Sequence, residues 1–144
     1  MSSSDRDEMI KNLSSIVVPA LRQLNFKGSF PHFRRVIQDR INLLTFQFDR
    51  YGGGFVIEIA NTKNEPFISS LGKIEPNKLT AHSVNKRMRI QSIMHENGDG
   101  STDDWFRYDK KHSFGLGDIY IKVCEDVLSK LGIADEYWKN GELN

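Results

Sequence analysis

The 144-residue chain contains a single cysteine, Cys124. No intrachain disulfide can form, and sites built on paired thiolates are excluded with it. A lone thiol suits a reducing compartment. No run reaches the roughly 18 apolar residues that a membrane-spanning helix needs. The opening Met-Ser-Ser-Ser-Asp-Arg-Asp-Glu has no apolar core of the kind a signal peptide carries. The expectation is a soluble, cytoplasmic protein without a membrane partner. An excess of one charge is also missing: 20 Lys and Arg stand against 19 Asp and Glu, for a formal net charge of +1. That balance argues against nucleic acid as the main partner. The histidines, His32, His82, His95 and His112, never fall at the i, i+3 or i+4 spacing of a helix-borne metal site, so neither a metal nor another cofactor is expected.

What the chain does have is a period-two stretch from Ile41 to Ala60, around which the rest is organised. Leu44, Phe46 and Phe48 are spaced by two, and Phe55, Ile57 and Ile59 repeat the spacing. Each trio therefore lies on one face of a strand. Gly52-Gly-Gly54 between them can take the positive φ of a tight hairpin. The opposite face carries Leu43, Thr45, Gln47, Asp49, Val56, Glu58 and Ala60. This mixture predicts a wet face, as one side of an antiparallel sheet often is.

An amphipathic helix precedes the hairpin, with Ser4 as its cap and Ile10, Leu13, Val17, Ala20, Leu21 and Leu24 as its stripe. Pro19 predicts a kink near Val18, and Asn25 a stop. Phe30 to Ile37 reads as one strand interrupted by Arg34 and Arg35, with Asp39-Arg40 as the turn into the hairpin. Residues 61–85 follow no clean period and read as irregular elements crossing the end of the sheet. Arg87-Met-Arg-Ile-Gln91 alternates again, as a further strand. Trp105, Phe106 and Tyr108 form an edge strand or an aromatic plug. A last helix starts at Asp118, with Tyr120, Val123, Cys124, Val127, Leu128 and Leu131 as its stripe and Gly132 as its terminator. Ala134 to Lys139 add a short turn that packs Tyr137 and Trp138 back, and the tail beyond is expected to fray. The whole describes a single α+β domain with an ordered core at about residues 5–139: an antiparallel β-sheet with N-terminal and C-terminal helices packed on one face.

An ordered set of features resembles an uncharacterised bacterial family, domain of unknown function 4304. They are the helix closing in Leu24-Asn-Phe-Lys27, the aromatic strand Phe46-Gln-Phe48, the turn and strand Tyr51-Gly-Gly-Gly-Phe-Val-Ile57, the basic strand Arg87-Met-Arg89, Trp105 and a closing helix. The resemblance spans roughly residues 9–131. Family members tend to carry an asparagine and a glycine where this chain has Glu58 and Ala60, and often two tryptophans where it has Trp105 and Phe106. The resemblance implies a small α+β domain with no assigned catalytic residues.

The chemistry-bearing residues are weighed against that background. Gly52-Gly-Gly54 lacks the Lys-Ser/Thr of a phosphate loop, and Gly98-Asp-Gly100 lacks the ligand spacing of a calcium loop. Ser113-Phe-Gly-Leu-Gly117 is not flanked as a nucleophile elbow. Charge is segregated: Lys73, Lys78, Lys86, Arg87 and Arg89 face Glu75 alone within 73–91, whereas Glu96, Asp99, Asp103, Asp104 and Asp109 face Arg107 alone within 96–109. Arg87, Arg89 and Gln91 share a strand face that extends to Gln47 and Glu58 if the strand lies beside the hairpin. The arginines can clamp an anion, or pair with Glu58 or the acids at 103–109 in bridges worth about 0–1 kcal/mol.

The candidate binding residues are therefore Arg87, Arg89, Gln47, Glu58, Asp103, Asp104 and Trp105, with no catalytic residue assigned. The leading reading is a non-catalytic module that binds a protein partner through the wet sheet face and the acidic loop, an antitoxin-like or immunity-type role being one version. The alternative is a domain that binds or acts on a small anionic ligand at the arginine-lined face, with His95 as acid or base. A third, nucleic-acid binding through Arg34, Arg35, Arg40, Arg87 and Arg89, is disfavoured by the near-neutral charge.

Overall fold

The computed structural model describes residues 3–95, 100–110 and 118–144. Glu96, Gly98, Asp99 and the stretch 111–117, which includes His112, Ser113 and Gly117, lie outside the described residues.

Helix α1 (Ser3–Asn12) runs through a π-helical turn at Leu13–Val17 into α2 (Val18–Gln23). It begins one residue before the predicted cap, Ser4. Met9, Leu13, Val17 and Leu21 are fully buried and always four residues apart. In a regular α-helix such a series drifts about 40° per step. The wider π turn takes back part of that drift and keeps the four side chains on the sheet. The kink expected from Pro19 thus takes the form of a π turn just before it, and Met9 rather than Ile10 joins the stripe. Asn25 closes the segment with φ +72°.

Among the described residues there are eight strands: β1 (Lys27–Ser29), β2 (His32–Ile37), β3 (Arg40–Phe48), β4 (Gly54–Lys63), β5 (Phe67–Ser69), β6 (Gly72–Ile74), β7 (Arg87–Ile90) and β8 (Phe106–Arg107). One antiparallel sheet has the order β1-β2-β3-β4-β7, with β8 also on β4; β5 and β6 form a separate hairpin. The strand expected over 30–37 is β2, and a short further strand, β1, precedes it. Arg40 already belongs to β3, and the turn before it is made at Gln38, where φ is +56°.

The α+β architecture with both helical segments on one sheet face stands. Met9, Leu13, Val17 and Leu21 from the N-terminal segment meet Val123, Cys124 and Val127 of helix α3 (Ile119–Asn140) over Leu44, Phe46, Phe55, Ile57, Ile59 and Ile90. Fully burying each large side chain contributes about 1.5–3 kcal/mol. Phe106 stacks on Phe55 at 5.1 Å between ring centroids, and Tyr108 is buried beside it. The aromatic run is therefore both edge strand and plug.

Helix α3 starts at Asp118, whose carboxylate accepts from the Tyr120 and Ile121 amides at 2.7 and 3.4 Å. It does not end at Gly132, which is exposed. The buried stripe passes on through Ala134 and Trp138, and that burial outweighs the roughly 1 kcal/mol that an internal glycine costs a helix. The helix end is met by the sheet. Asn61 Nδ2 donates to Tyr137 O at 2.9 Å, Asn42 Nδ2 to Trp138 O at 3.4 Å, and Arg40 to Trp138 O at 2.9 Å. Trp138 Nε1 donates back to Leu43 O at 3.2 Å.

Arg35 does not interrupt β2; it points into the helical layer. Its guanidinium lies 4.7 Å from the Phe26 ring centroid and 5.4 Å from that of Trp138, and Nε donates to Asn42. The tail does not fray. Leu143 makes a parallel bridge with Asn61, and the Asn144 side chain bonds Asn85 N, Lys86 N and Lys86 O.

Asn61 is fully buried. Its replacement by alanine removes one of the two donors to Tyr137 O, which keeps the Gly141 amide, and the acceptor of one Asn42 N–H, so Asn61→Ala is expected to lower stability by about 1–3 kcal/mol. The change should appear as a lower urea midpoint with an unchanged m-value.

Candidate binding groove at the edge of the sheet

The second sheet face is not wet. Residues 76–84, two single-turn 3₁₀ helices, lie over it, and Leu79, Ala81 and Val84 pack on Ile41, Leu43 and Ala60. Arg34 ties this cover to β2 by donating to Pro76 O at 2.6 Å and Leu79 O at 3.4 Å. Further along the face, Thr45, Val56 and Glu58 are also buried. Irregular cover leaves no periodic mark in a sequence, which is why the face read as open.

The register places Glu58 opposite Arg89 and Ala60 opposite Arg87. Glu58 Oε1 takes Arg89 at 3.3 Å and Arg87 at 3.9 Å, and the Arg89 guanidinium lies 5.4 Å from the Trp105 ring centroid. Four candidate residues, Glu58, Arg87, Arg89 and Trp105, are thus one cluster. Gln47 shares their face, half-buried, opposite Val56. Asp103 and Asp104 sit apart, on a 3₁₀ turn capped by Ser101, which accepts from Asp103 N at 3.2 Å. Asp104 holds His95 Nε2 at 2.6 Å.

The third acid of that segment, Asp109, belongs to the hairpin turn. Arg107 reaches it at 2.6 Å and Asp49 at 3.5 Å, and this hydrogen-bonded guanidinium holds the Asp109 carboxyl below the ordinary carboxylate range. Gly53, at φ +86°, makes the approach possible, because a Cβ there would collide with the Asp109 and Arg107 side chains. The glycine run therefore makes both the turn and a seat for β8.

A concave feature lies at the sheet edge. A cavity of about 540 Å³ runs along β7, lined by Lys86, Arg87, Arg89, Gln91, His95 and Tyr137 among others. Among the described residues no strand pairs with the outer side of β7, so alternate backbone N–H and C=O groups point away from β4. Gln91 is 2% exposed. Its Nε2 donates to Ile93 O at 3.0 Å, whereas its Oε1 has no hydrogen-bond partner. A buried acceptor left unpaired is costly and marks a place where a donor is received. Sequence alternation picks out Arg87, Arg89 and Gln91; nothing in the sequence signals Lys86, Tyr137 and Glu142, which the tail and the end of α3 bring to the same wall.

A second polar group, missed by the sequence reading, sits on the covered face. His32 Nδ1 bonds Thr45 Oγ1 at 2.9 Å, and the His32 and His82 rings meet edge-on at 6.2 Å. Among the described residues no group of three or more His, Cys, Asp or Glu is placed to hold a metal ion. Cys124 is buried, and that burial pushes its pKa up to about 12, so the thiol stays protonated at neutral pH. No helix of the described residues is long and apolar enough to cross a membrane.

A six-stranded antiparallel sheet with helices on one face and a basic groove along one edge defines a small α+β domain with a concave polar site. The chain belongs to the family described as Domain of unknown function (DUF4304), which matches residues 17–123. No curated protein and no solved structure matches it.

The histidine pair gives the fold a pH dependence. Burial lowers the pKa of His32; burial and then the Arg87 charge lower that of His82, with Glu58 acting in the opposite direction. A folded pKa below the unfolded value means that the unfolded chain binds protons first on acidification. The stability from this source is complete above about pH 6.5 and falls as pH drops through the folded values. Both side chains are partly solvated, so the effect is small. Replacing both with glutamine is expected to flatten the decline of the urea midpoint between about pH 6.5 and pH 5.

Proposed function

We propose that this chain is a non-catalytic binding module that captures an extended segment of a partner protein along the outer edge of β7. The observation that carries the proposal is the position of the groove. The sheet face expected to serve as a docking surface is covered, whereas the edge strand stands open and backs onto a cavity. Strand addition to an open edge draws affinity from main-chain hydrogen bonds and specificity from the side chains beside them. The narrower form of this reading is an antitoxin-like or immunity-type protein of a bacterial cytoplasm, in which the captured segment is part of the partner's working surface; the buried, protonated Cys124 suits a reducing compartment. Nucleic-acid binding loses support because Arg34, Arg35 and Arg40 are spent on internal carbonyls and the Asn42 side chain.

A second reading, a domain that binds or acts on a small anionic ligand, is favoured by the same cavity. It brings Arg87, Arg89 and Gln91 together with His95, whose Asp104 partner orients the ring as a general base would need.

Amide hydrogen exchange tests the first reading against linear peptides selected from a random displayed library. Bound peptides are expected to slow exchange within Arg87–Ile90 and to leave Lys27–Ser29, at the other edge of the sheet, unchanged. Protection that maps away from β7, or a library that yields no binder, would remove the edge as the docking site.

A further inference from the structure

Resting on the reading of the β7 edge as a docking site, we infer that the captured segment is acidic, with carboxylates that meet Lys86 and Arg87 at one end of the groove. Two features of the chain itself carry this.

The first is that the chain already sets an acid of its own, on an extended segment in line with β7, against a cation of this groove. Residues 141–144 leave the end of α3 in extended form. Glu142 lies 3.5 Å from Lys86 Nζ, Leu143 bridges Asn61, and the Asn144 side chain accepts from the Asn85 and Lys86 amides at 3.2 and 2.8 Å and donates to Lys86 O at 2.9 Å. The tail's backbone thus pairs with β4, in line with β7, and at the residues leading into β7 it sets one carboxylate against one cation.

The second is the order of charges along the groove. Alternate residues of an added strand share a face with alternate residues of its neighbour. On the β4 side that rule has placed Glu58 opposite Arg89, where its carboxylate serves both arginines. A strand on the outer side meets the cations that this pairing leaves exposed. Arg87, with 34% of its side chain exposed, and Lys86, with 56%, are the accessible cations. At the far end of the groove the charge gives way to the unpartnered Gln91 Oε1, which takes an N–H or O–H from the incoming segment. Carboxylates meet the cations first, and a hydrogen-bond donor follows.

The same library decides this point separately from the edge reading. The expected result is that selected peptides are rich in Asp or Glu, and bind about tenfold more weakly to the Lys86→Gln, Arg87→Gln double variant and in high salt. If the double variant does not fold, Lys86→Gln alone should still reduce affinity, because the Lys86 side chain is mostly exposed. Selected peptides that are neutral, indifferent to both substitutions and yet protective of Arg87–Ile90 would overturn the inference and leave the edge reading standing. A library without binders would overturn both. Binding of inorganic phosphate or citrate by a protein that takes no peptide would replace both with the small-anion reading.

Discussion

The last carbonyls of α3 point into the protein rather than into water, and the rest of the structure depends on their being met. A helix leaves its final carbonyl groups without internal partners, and burying them unpaired costs about 1–3 kcal/mol each. Asn42, Asn61 and Arg40 supply the donors from the two central strands. The seam is polar where the surrounding layer is apolar, so it admits one placement of the helix along the sheet. Arg35 extends the seam to Asp135 at 3.5 Å and is held between Phe26 and Trp138. With α3 fixed in this way, Tyr137 and the tail arrive beside β7, and the groove acquires its outer wall.

The strands and helices that face the core were legible because burial there is periodic. Leu44, Phe46 and Phe48 against Phe55, Ile57 and Ile59 leave little choice of face, and the pairing of β3 with β4 follows. Arg87-Met-Arg89 was legible for the same reason. Reading failed where tertiary contacts override local preference. Gly132 stands in the middle of α3 because the apolar stripe continues past it to Ala134 and Trp138. Arg35 interrupts the apolar pattern of β2 on paper, yet it is an inward residue whose charge is spread over two aromatic rings and a carboxylate. The cover over the second face is built from single turns around Pro76 and Ala81, which bury Leu79 and Val84 without any period. The candidate site shares this split: its arginines follow an alternation, but the groove they line is closed by residues far away in sequence.

The shift from face to edge changes what Arg87, Arg89 and Glu58 mean. On an open face they would form an anion clamp awaiting a ligand. With Glu58 buried between them, they are an oriented pair whose geometry is set from the β4 side. Trp105 carries the Arg89 contact to the residue next to Asp104, and Asp104 in turn holds His95 on the groove wall. Gly53 lets Arg107 and Asp109 reach the hairpin turn.

One flank of β4 is divided among three pieces of chain: β8 beside Gly54 and Phe55, β7 beside Ile57 to Ala60, and the tail beside Asn61. Asn144 and Asn61, whose contact completes that flank, are 83 residues apart. Contacts of such separation pay their loop-closure entropy late in folding. The β3–β4 hairpin, joined by a short turn, can form early, whereas this flank can be completed only after the chain has returned to it from three directions. Until then β4 presents a long, apolar, unpaired margin. A chain that has not yet completed this flank is therefore more prone to pair with another chain, and the short segments that share the margin cover it in the native state.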